Sequence, residues 1–458
     1  MKRSGTTKTK TAPDPMHWIE KGDKYSKRKQ YKLAEDCFRK VLDLDPALPT
    51  AELAQMNLAS LLSETGRYKE AKPIWRALLS KNPDDSKLLE KLIGVAMVSG
   101  DLRDAAKYAE KHAALCVGYH GQKAAGKKGE RAPAKEGQAA AKKSNLSIQA
   151  PCGKLSVQKL KHDIAQFQHL QKQGVKIDGI ETIIKNYKKV LKRLLPLGDT
   201  ARVALNDADY RLIGQEYNRI IYRPHTPRVR HALSHKWDVV SAEDGISAED
   251  DYLNHPYGLT VIDNFLSAAA LSGLRKFCLE STVWFENRYS YGRLGAFFRE
   301  GFNCPMLIQI GEEIRTAFPR IIGQKHPLLQ IWGFKCDHFQ PVTPPHADFA
   351  AVNVNFWITP EEANLDQDSG GMTVYDVEAP LNWDFDSYNN QGDKITALLK
   401  KKKASAATIP YKANRAIIFN SDLFHVTSPV QFADDYPLRR INVTLLYGKR
   451  EDSHLPSR

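Results

Sequence analysis

Three polar side chains towards the C-terminal end carry residue types and spacings that could do chemistry. His346 and Asp348 lie in PPHADFAAVNVNFWIT, immediately before a strand-like run, and their i, i+2 spacing turns both side chains to one face of an extended backbone. His425 lies in NRAIIFNSDLFHVTSPV, just after another strand-like run and 77 residues beyond Asp348, a separation that a sheet closing on itself brings together. Two imidazoles and a carboxylate can occupy one face of an octahedral Fe(II) and leave three adjacent positions for a chelating cosubstrate and dioxygen, whereas zinc prefers a closed tetrahedral set. A negatively charged cosubstrate then needs a fixed cation. The run RRINVTLLYG offers two, and strand alternation separates them: Arg440, Asn442 and Thr444 form a polar face, while Arg439 shares parity with Ile441, Val443 and Leu445. Arg440 is therefore the expected anchor and Arg439 the alternative. Its planar fork pairs bidentately with a carboxylate, which a lysine cannot do. Asn353 and Asn355 share one face of the strand after the H-x-D triplet, where they could contact cosubstrate, orient a metal ligand or serve as structural hydrogen-bonding groups.

In a chain with 14 histidines about one H-x-D triplet is expected by chance, so the weight falls on the ordered set. H-A-D before a strand, Gly370 and Gly371 opening the next, R-x-x-I-F followed by His425, and an R-x-N strand occur in succession. The elements needed to position them are legible around them. From Tyr257 the pattern changes to strands: GLTVIDNFLS leads into a helix capped by Ser267, and QIWGFKCD, AAVNVNFWIT, GGMTVYD, RAIIFN and RRINVTLLYG follow as short strands between turn residues. Strands of this length linked in this way predict a double-sheet jelly roll whose mouth receives a ligand. The aromatic, arginine-rich stretch RYSYGRLGAFFREGF, residues 288–302, is a candidate lining for the entrance or an extra packed strand.

With these motifs in place, residues 255–450, about two-fifths of the chain, resemble the double-stranded β-helix of the Fe(II)- and 2-oxoglutarate-dependent oxygenases, the prolyl-hydroxylase-like branch nearest. The resemblance implies that His346, Asp348 and His425 are the iron ligands and that Arg440 grips the distal carboxylate of 2-oxoglutarate. Asn442 stands where many members of that family have serine, and an amide still donates a hydrogen bond; Asn355 is placed with it in the cosubstrate site. The implied reaction is hydroxylation of an unactivated C–H bond coupled to conversion of 2-oxoglutarate and O2 to succinate and carbon dioxide, with ascorbate as a supporting reductant.

The N-terminal segment repeats. Aligned on Ala34, Ala71 and Ala105, which are 37 and then 34 residues apart, three segments share Tyr31, Tyr68 and Leu102 three positions earlier and Phe38, Trp75 and Ala109 four positions later. Gly66 and Gly100 fall in equivalent turns, and Trp18, Gly22 and Tyr25 keep the spacing of the W-x2-L-G-x2-Y pattern with Lys21 in place of leucine. Residues 17–117 resemble a tetratricopeptide array, which implies stacked helical hairpins and a concave surface for a protein or peptide partner; packing against the remainder of the chain is the alternative use of the same face.

Composition bounds the rest. With 42% hydrophobic and 26% charged residues over 458 positions, two or three folding units are expected, and collagen-like, wholly disordered and membrane-spanning chains are excluded. The formal charge of +14 sits mostly in two segments: residues 1–15 carry four cations against Asp14, and residues 117–161 carry ten Lys/Arg against Glu130 and Glu136. The balance elsewhere argues against specific nucleic-acid recognition. Residues 118–150, rich in Lys, Ala and Gly, read as a flexible linker. Residues 1–16 and 451–458 read as tails, 151–225 as a helical segment with helices over 154–172, 179–195 and 199–222, and 226–254 as a connector. Six scattered cysteines without a CxxC pair, and no apolar leader, point to a reduced cytoplasmic setting. The fold class expected is α+β multidomain: helical hairpin repeats, a helical segment and a C-terminal jelly roll. Its expected role is that of an oxygenase; a catalytically inactive barrel with a scaffolding repeat array, or a non-oxidative metal barrel, are the alternatives.

Overall fold

The computed structural model describes residues 14–44, 49–116, 154–234, 247–289 and 291–450. The linker read over 118–150, the C-terminal tail and all but the end of the N-terminal one lie outside them. The chain divides into two compact units, one up to Ala105 and one from Ala106 onward.

The N-terminal part of the chain is built of helical hairpins: α1 Pro15–Lys27, α2 Tyr31–Leu44, α3 Pro49–Glu64, α4 Tyr68–Lys81, α5 Ser86–Val98 and α6 Leu102–Cys116, the boundary between the units falling inside α6. Helix α1 starts inside the segment expected to be a tail, because the Asp14 carboxylate accepts the Met16 N–H at 3.0 Å and Pro15 supplies a helical φ at the first position. Ala34, Ala71 and Ala105 are fully buried, as required where helices approach closely. A Cβ at Gly22 would lie 2.5 Å from the Phe38 ring. The repeat also explains a turn the sequence disguises. Gly66 and Gly100 both take φ +78, and the equivalent position of the first hairpin, Lys29, takes the same left-handed region at φ +58 without glycine's freedom. Glu35, buried, ties successive hairpins by accepting hydrogen bonds from Arg39 and, at 2.6 Å, from Arg67.

After α6 the second unit continues with β1 Lys154–Ser156, α7 Val157–Lys172, α8 Ile180–Leu194, β2 Arg202–Ala204 and α9 Asp207–Ile213. Two of the expected helices are thus shorter than their apolar spacing implied. Ser156 caps α7 by accepting the Lys159 N–H at 3.2 Å, which leaves the residues before it to pair with β2, and an Asn206–Asp209 capping box delays α9 until Asp207. The β-domain follows as α10 Ala248–Asn254, β3 Leu259–Ile262, α11 Ala268–Glu280, β4 Leu294–Phe297, α12 Pro305–Ala317, β5 Leu328–Lys335, β6 Phe339–Gln340, β7 Val352–Trp357, β8 Met372–Glu378, α13 Phe385–Asn389, α14 Gly392–Lys402, β9 Ala406–Ile409, β10 Ala416–Asn420, β11 Leu423–Thr427, β12 Val430–Gln431 and β13 Ile441–Tyr447. Lys400, Lys401 and Lys402 form the last turn of α14, where they complement the helix dipole while Ile395 and Leu399 are buried one turn apart.

Six antiparallel strands make the larger sheet in the order β3-β10-β7-β13-β5-β4, and β11-β8-β9 with the short pair β12-β6 make the opposing layer. One face of the larger sheet is covered by α12 and by the connection between β3 and α11: Tyr447 donates to the Gly311 carbonyl of α12 at 3.1 Å, and the Phe356 ring packs at a tilt on Phe265 with centroids 5.4 Å apart. The other face looks into the roll. Register places Asn442 opposite Trp357 and Phe334, and Thr444 opposite Asn355 and Trp332, so the polar residues of β13 and β7 form a stripe inside. Phe356 is fully buried on the covered face. Phe356→Ala should lower the unfolding free energy by roughly 3–5 kcal/mol, measured by urea denaturation with near-ultraviolet circular dichroism as the signal.

Candidate metal centre

The roll brings His346, Asp348 and His425 together, with one potential ligand atom from each lying within 4.8 Å of the others. A two-residue turn at Ser421 and Asp422 begins β11, so His425 sits within a strand rather than after one. The loop carrying His346 is fixed to that strand by reciprocal backbone bonds, His346 N–H to the His425 carbonyl at 3.1 Å and His425 N–H to the His346 carbonyl at 2.8 Å. Asp348 is tied in turn by its N–H to the Ser421 carbonyl at 3.2 Å. Each imidazole uses Nδ1 on the carbonyl two residues earlier, His346 on Pro344 at 3.1 Å and His425 on Leu423 at 3.0 Å. That arrangement fixes the tautomers and leaves both Nε2 atoms for the centre. Nε2 of His425 stands 3.6 Å from Oδ2 of Asp348.

The electrostatics suit a divalent metal. Burial pushes the His346 imidazole down to about 3, and the charges of His425 and Arg293 press the same way. Burial also pushes the Asp348 carboxyl up, against the opposing pull of His425 and the Asn353 hydrogen bond. No lysine or arginine pairs with Asp348 among the described residues, so two imidazole nitrogens and a buried carboxylate face one another without a lysine or arginine counter-charge. Asn353, fully buried, donates to Oδ2 of Asp348 at 2.7 Å, which makes it the group that orients this carboxylate.

A polar path runs along the inner face of the sheet to the expected anchor. Asn355 donates to the Thr444 hydroxyl at 3.0 Å, Asn442 approaches the same oxygen at 3.4 Å, and Arg440 Nη1 donates to Asn442 Oδ1 at 3.1 Å. Arg440 is 1% exposed and forms no ion pair among the described residues; it donates from Nε to the Gly370 carbonyl at 2.5 Å and from Nη2 to the Gly371 carbonyl at 3.4 Å. Burial lowers its pKa. The Gly-Gly turn has a steric reason as well, since a Cβ on Gly371 would lie 1.9 Å from the Ile409 carbonyl oxygen. Arg439 points elsewhere and is bound to Asp337 at 3.1 Å. Asn355 and Asn442 therefore lie on the path between the triad and Arg440, bonded to Thr444 and Arg440 rather than to the triad itself.

Sequence reasoning missed one member of this set. The Trp357 indole N–H, opposite Asn442 in the register and 5.5 Å under the Arg440 guanidinium, is buried without a partner, as is the Oδ1 of Asn355. A buried guanidinium with donors to spare beside an unpaired N–H is a fitting receptor for a carboxylate, and only the pairing of β7 with β13 reveals it. On the outer side of the triad, His346 and Asp348 open into a cavity of about 400 Å³ that also draws Tyr289, Arg293 and Phe297 from the aromatic segment. A second cluster, Asp337, His338 and Asp434, is more exposed, and Asp337 already serves Arg439.

The tetratricopeptide repeat family matches residues 18–48. No curated protein matches the chain. The first tetratricopeptide domain of Spaghetti (RPAP3), bound to an HSP90 peptide, is 24% identical over 21% of this chain and 75% of its own, with a TM-score of 0.20. The non-heme alpha ketoglutarate dependent epimerase SnoN from nogalamycin biosynthesis is 12% identical over 44% of this chain and 81% of its own, with a TM-score of 0.33. HygX from Streptomyces hygroscopicus, solved with nickel and 2-oxoglutarate bound, is 11% identical over 44% and 87%, with a TM-score of 0.31. The family match thus falls on the first of the N-terminal helical hairpins, α1 and α2. Among the described residues no helix is long and apolar enough to cross a membrane.

Asn353→Ala leaves the three ligand side chains in place but frees Asp348, and should weaken binding of Fe(II), followed anaerobically by equilibrium dialysis, by roughly 10–100-fold.

Proposed function

We propose that the protein is an Fe(II)- and 2-oxoglutarate-dependent dioxygenase that hydroxylates a C–H bond of a substrate recruited, as a protein or peptide, through the helical repeats. The observation that carries this reading is the coincidence, inside one roll, of a His-Asp-His cluster lacking a counter-cation and a buried arginine lacking a carboxylate, joined by a stripe of amides. When bound, the metal and cosubstrate supply the oxidising chemistry, in which 2-oxoglutarate and O2 yield succinate and carbon dioxide while one oxygen atom enters the substrate. His346, Asp348 and His425 hold the metal. Arg440, with Asn442 and the Trp357 N–H, holds the distal carboxylate, and Asn355 keeps Thr444 turned along the path between them. The bulk of Trp357 and the neighbouring core keeps water away from this end of the roll, where a charge-assisted pair is strongest.

Full-length protein incubated with Fe(II), ascorbate and 2-oxoglutarate should form succinate, and His346→Ala should abolish it; succinate formation that is absent, or indifferent to the triad, would leave the barrel as a scaffold. Arg440→Gln should raise the KM for 2-oxoglutarate by roughly 10–100-fold, the value of a lost charge-assisted bidentate contact, with far less effect on metal binding. Substrate captured with O2 withheld should gain the mass of one oxygen atom once air is admitted.

A further inference from the structure

The cavity beside the triad contains a cation that the chemistry above does not use. Arg293 precedes β4 at the edge of the larger sheet, where Tyr291 and Gly292 take φ +56 and +72 in succession and turn the chain into the strand. A Cβ on Gly292 would lie 2.9 Å from Cβ of Asp337, so the turn is tightly seated. The guanidinium that follows is held by ring faces, 4.3 Å from the Tyr289 centroid and 4.9 Å from that of Phe334. It is half-buried, and it makes no hydrogen bond or ion pair with any described residue. The groups whose charges act on it are Cys336, Tyr289 and Arg288, none of them a carboxylate, and burial lowers its pKa. It lies close enough to both His346 and Arg440 for its charge to be felt at each.

An unpaired guanidinium in a cavity is costly unless something completes it. Two aromatic faces fix its plane, so its N–H fork is pre-aimed at a planar acceptor. Around it the cavity is lined by Trp332, Phe334, Phe349 and Phe385, with amides from Gln330 and Asn389. Resting on the oxygenase reading, which assigns the cosubstrate to Arg440, we infer that Arg293 receives a carboxylate of the substrate itself, whose apolar body lies on Trp332, Phe334 and Phe349 with its reacting carbon turned towards the His-Asp-His cluster. Arg288 also lines the cavity, but its charge is offset by Glu286 at 3.9 Å, so one unpaired guanidinium with aromatic and amide neighbours matches a single negative charge; a phosphate would call for further unpaired cations and backbone donors. The carboxylate is that of a free acid or the C-terminus of a peptide, one chemistry from two sources.

The test uses the full-length protein and two matched pairs of probes: 3-phenylpropanoate against 3-phenylpropanamide, and the tripeptide Ala-Ala-Phe with a free against an amidated C-terminus. Binding is followed by tryptophan fluorescence and saturation-transfer NMR. The acid form of at least one pair should bind about tenfold or more tightly than its amide, the pair that responds identifying the source. Arg293→Gln should erase the preference, and Arg293→Lys, which keeps the charge without the fork, should restore part of it. The affinity for 2-oxoglutarate should be unchanged in Arg293→Gln and weakened in Arg440→Gln. Equal binding of acid and amide by the unmodified protein, binding of neither, a preference that survives Arg293→Gln, or a loss of 2-oxoglutarate affinity in Arg293→Gln matching that in Arg440→Gln would overturn the inference. Should the glutamine variant fail to fold, the lysine variant decides, since an undiminished acid preference there would contradict the fork. Failure of the oxygenase reading is seen separately, as missing triad-dependent succinate formation, a readout the acid and amide comparison does not use.

Discussion

Two main-chain hydrogen bonds between His346 and His425 are the constraint on which the site depends. They bind a loop from one layer of the roll to a strand of the other, across 79 residues of sequence, and they do so at the two residues whose side chains must meet. Because each imidazole also spends Nδ1 on the carbonyl two positions back, both rings are oriented by the same backbone that joins them. Asp348 is brought to the same point by its own N–H bond to Ser421. Convergence of the three side chains is therefore a property of the backbone, and they have little freedom left to lose on binding a metal.

That preorganisation has an electrostatic cost. Asp348 and Arg440 are both buried and of opposite charge, yet they do not pair; the amide and hydroxyl groups of Asn353, Asn355, Asn442 and Thr444 lie along the inner face between them. Separating two buried charges in this way is unfavourable by several kcal/mol relative to pairing them. The arrangement becomes favourable when a divalent cation meets the carboxylate and a dicarboxylate meets the guanidinium. Ligands of that kind bind the native state only, and they would stabilise it by mass action.

The sequence carried much of this, because strand alternation is a strict rule. The parity argument that separated Arg440 from Arg439 holds in the roll: Arg440 faces inward, and Arg439 is engaged by Asp337. The repeat period placed Ala34, Ala71 and Ala105 in equivalent close contacts. What was not legible depended on partners distant in sequence. Trp357 reads as an ordinary core aromatic until β13 is laid beside β7, and the role of Asn353 emerges only when its amide is seen on Asp348. Helix ends were displaced by caps at Ser156 and Asn206, local hydrogen bonds that override apolar periodicity.

The most direct measurement is anomalous diffraction at the iron edge from crystals of the full-length protein grown or soaked anaerobically with Fe(II). A single strong peak at coordination distance from Nε2 of His346, Nε2 of His425 and a carboxylate oxygen of Asp348 is the predicted result. Iron bound instead at the Asp337, His338 and Asp434 cluster, or no peak between the two imidazoles, would contradict the account.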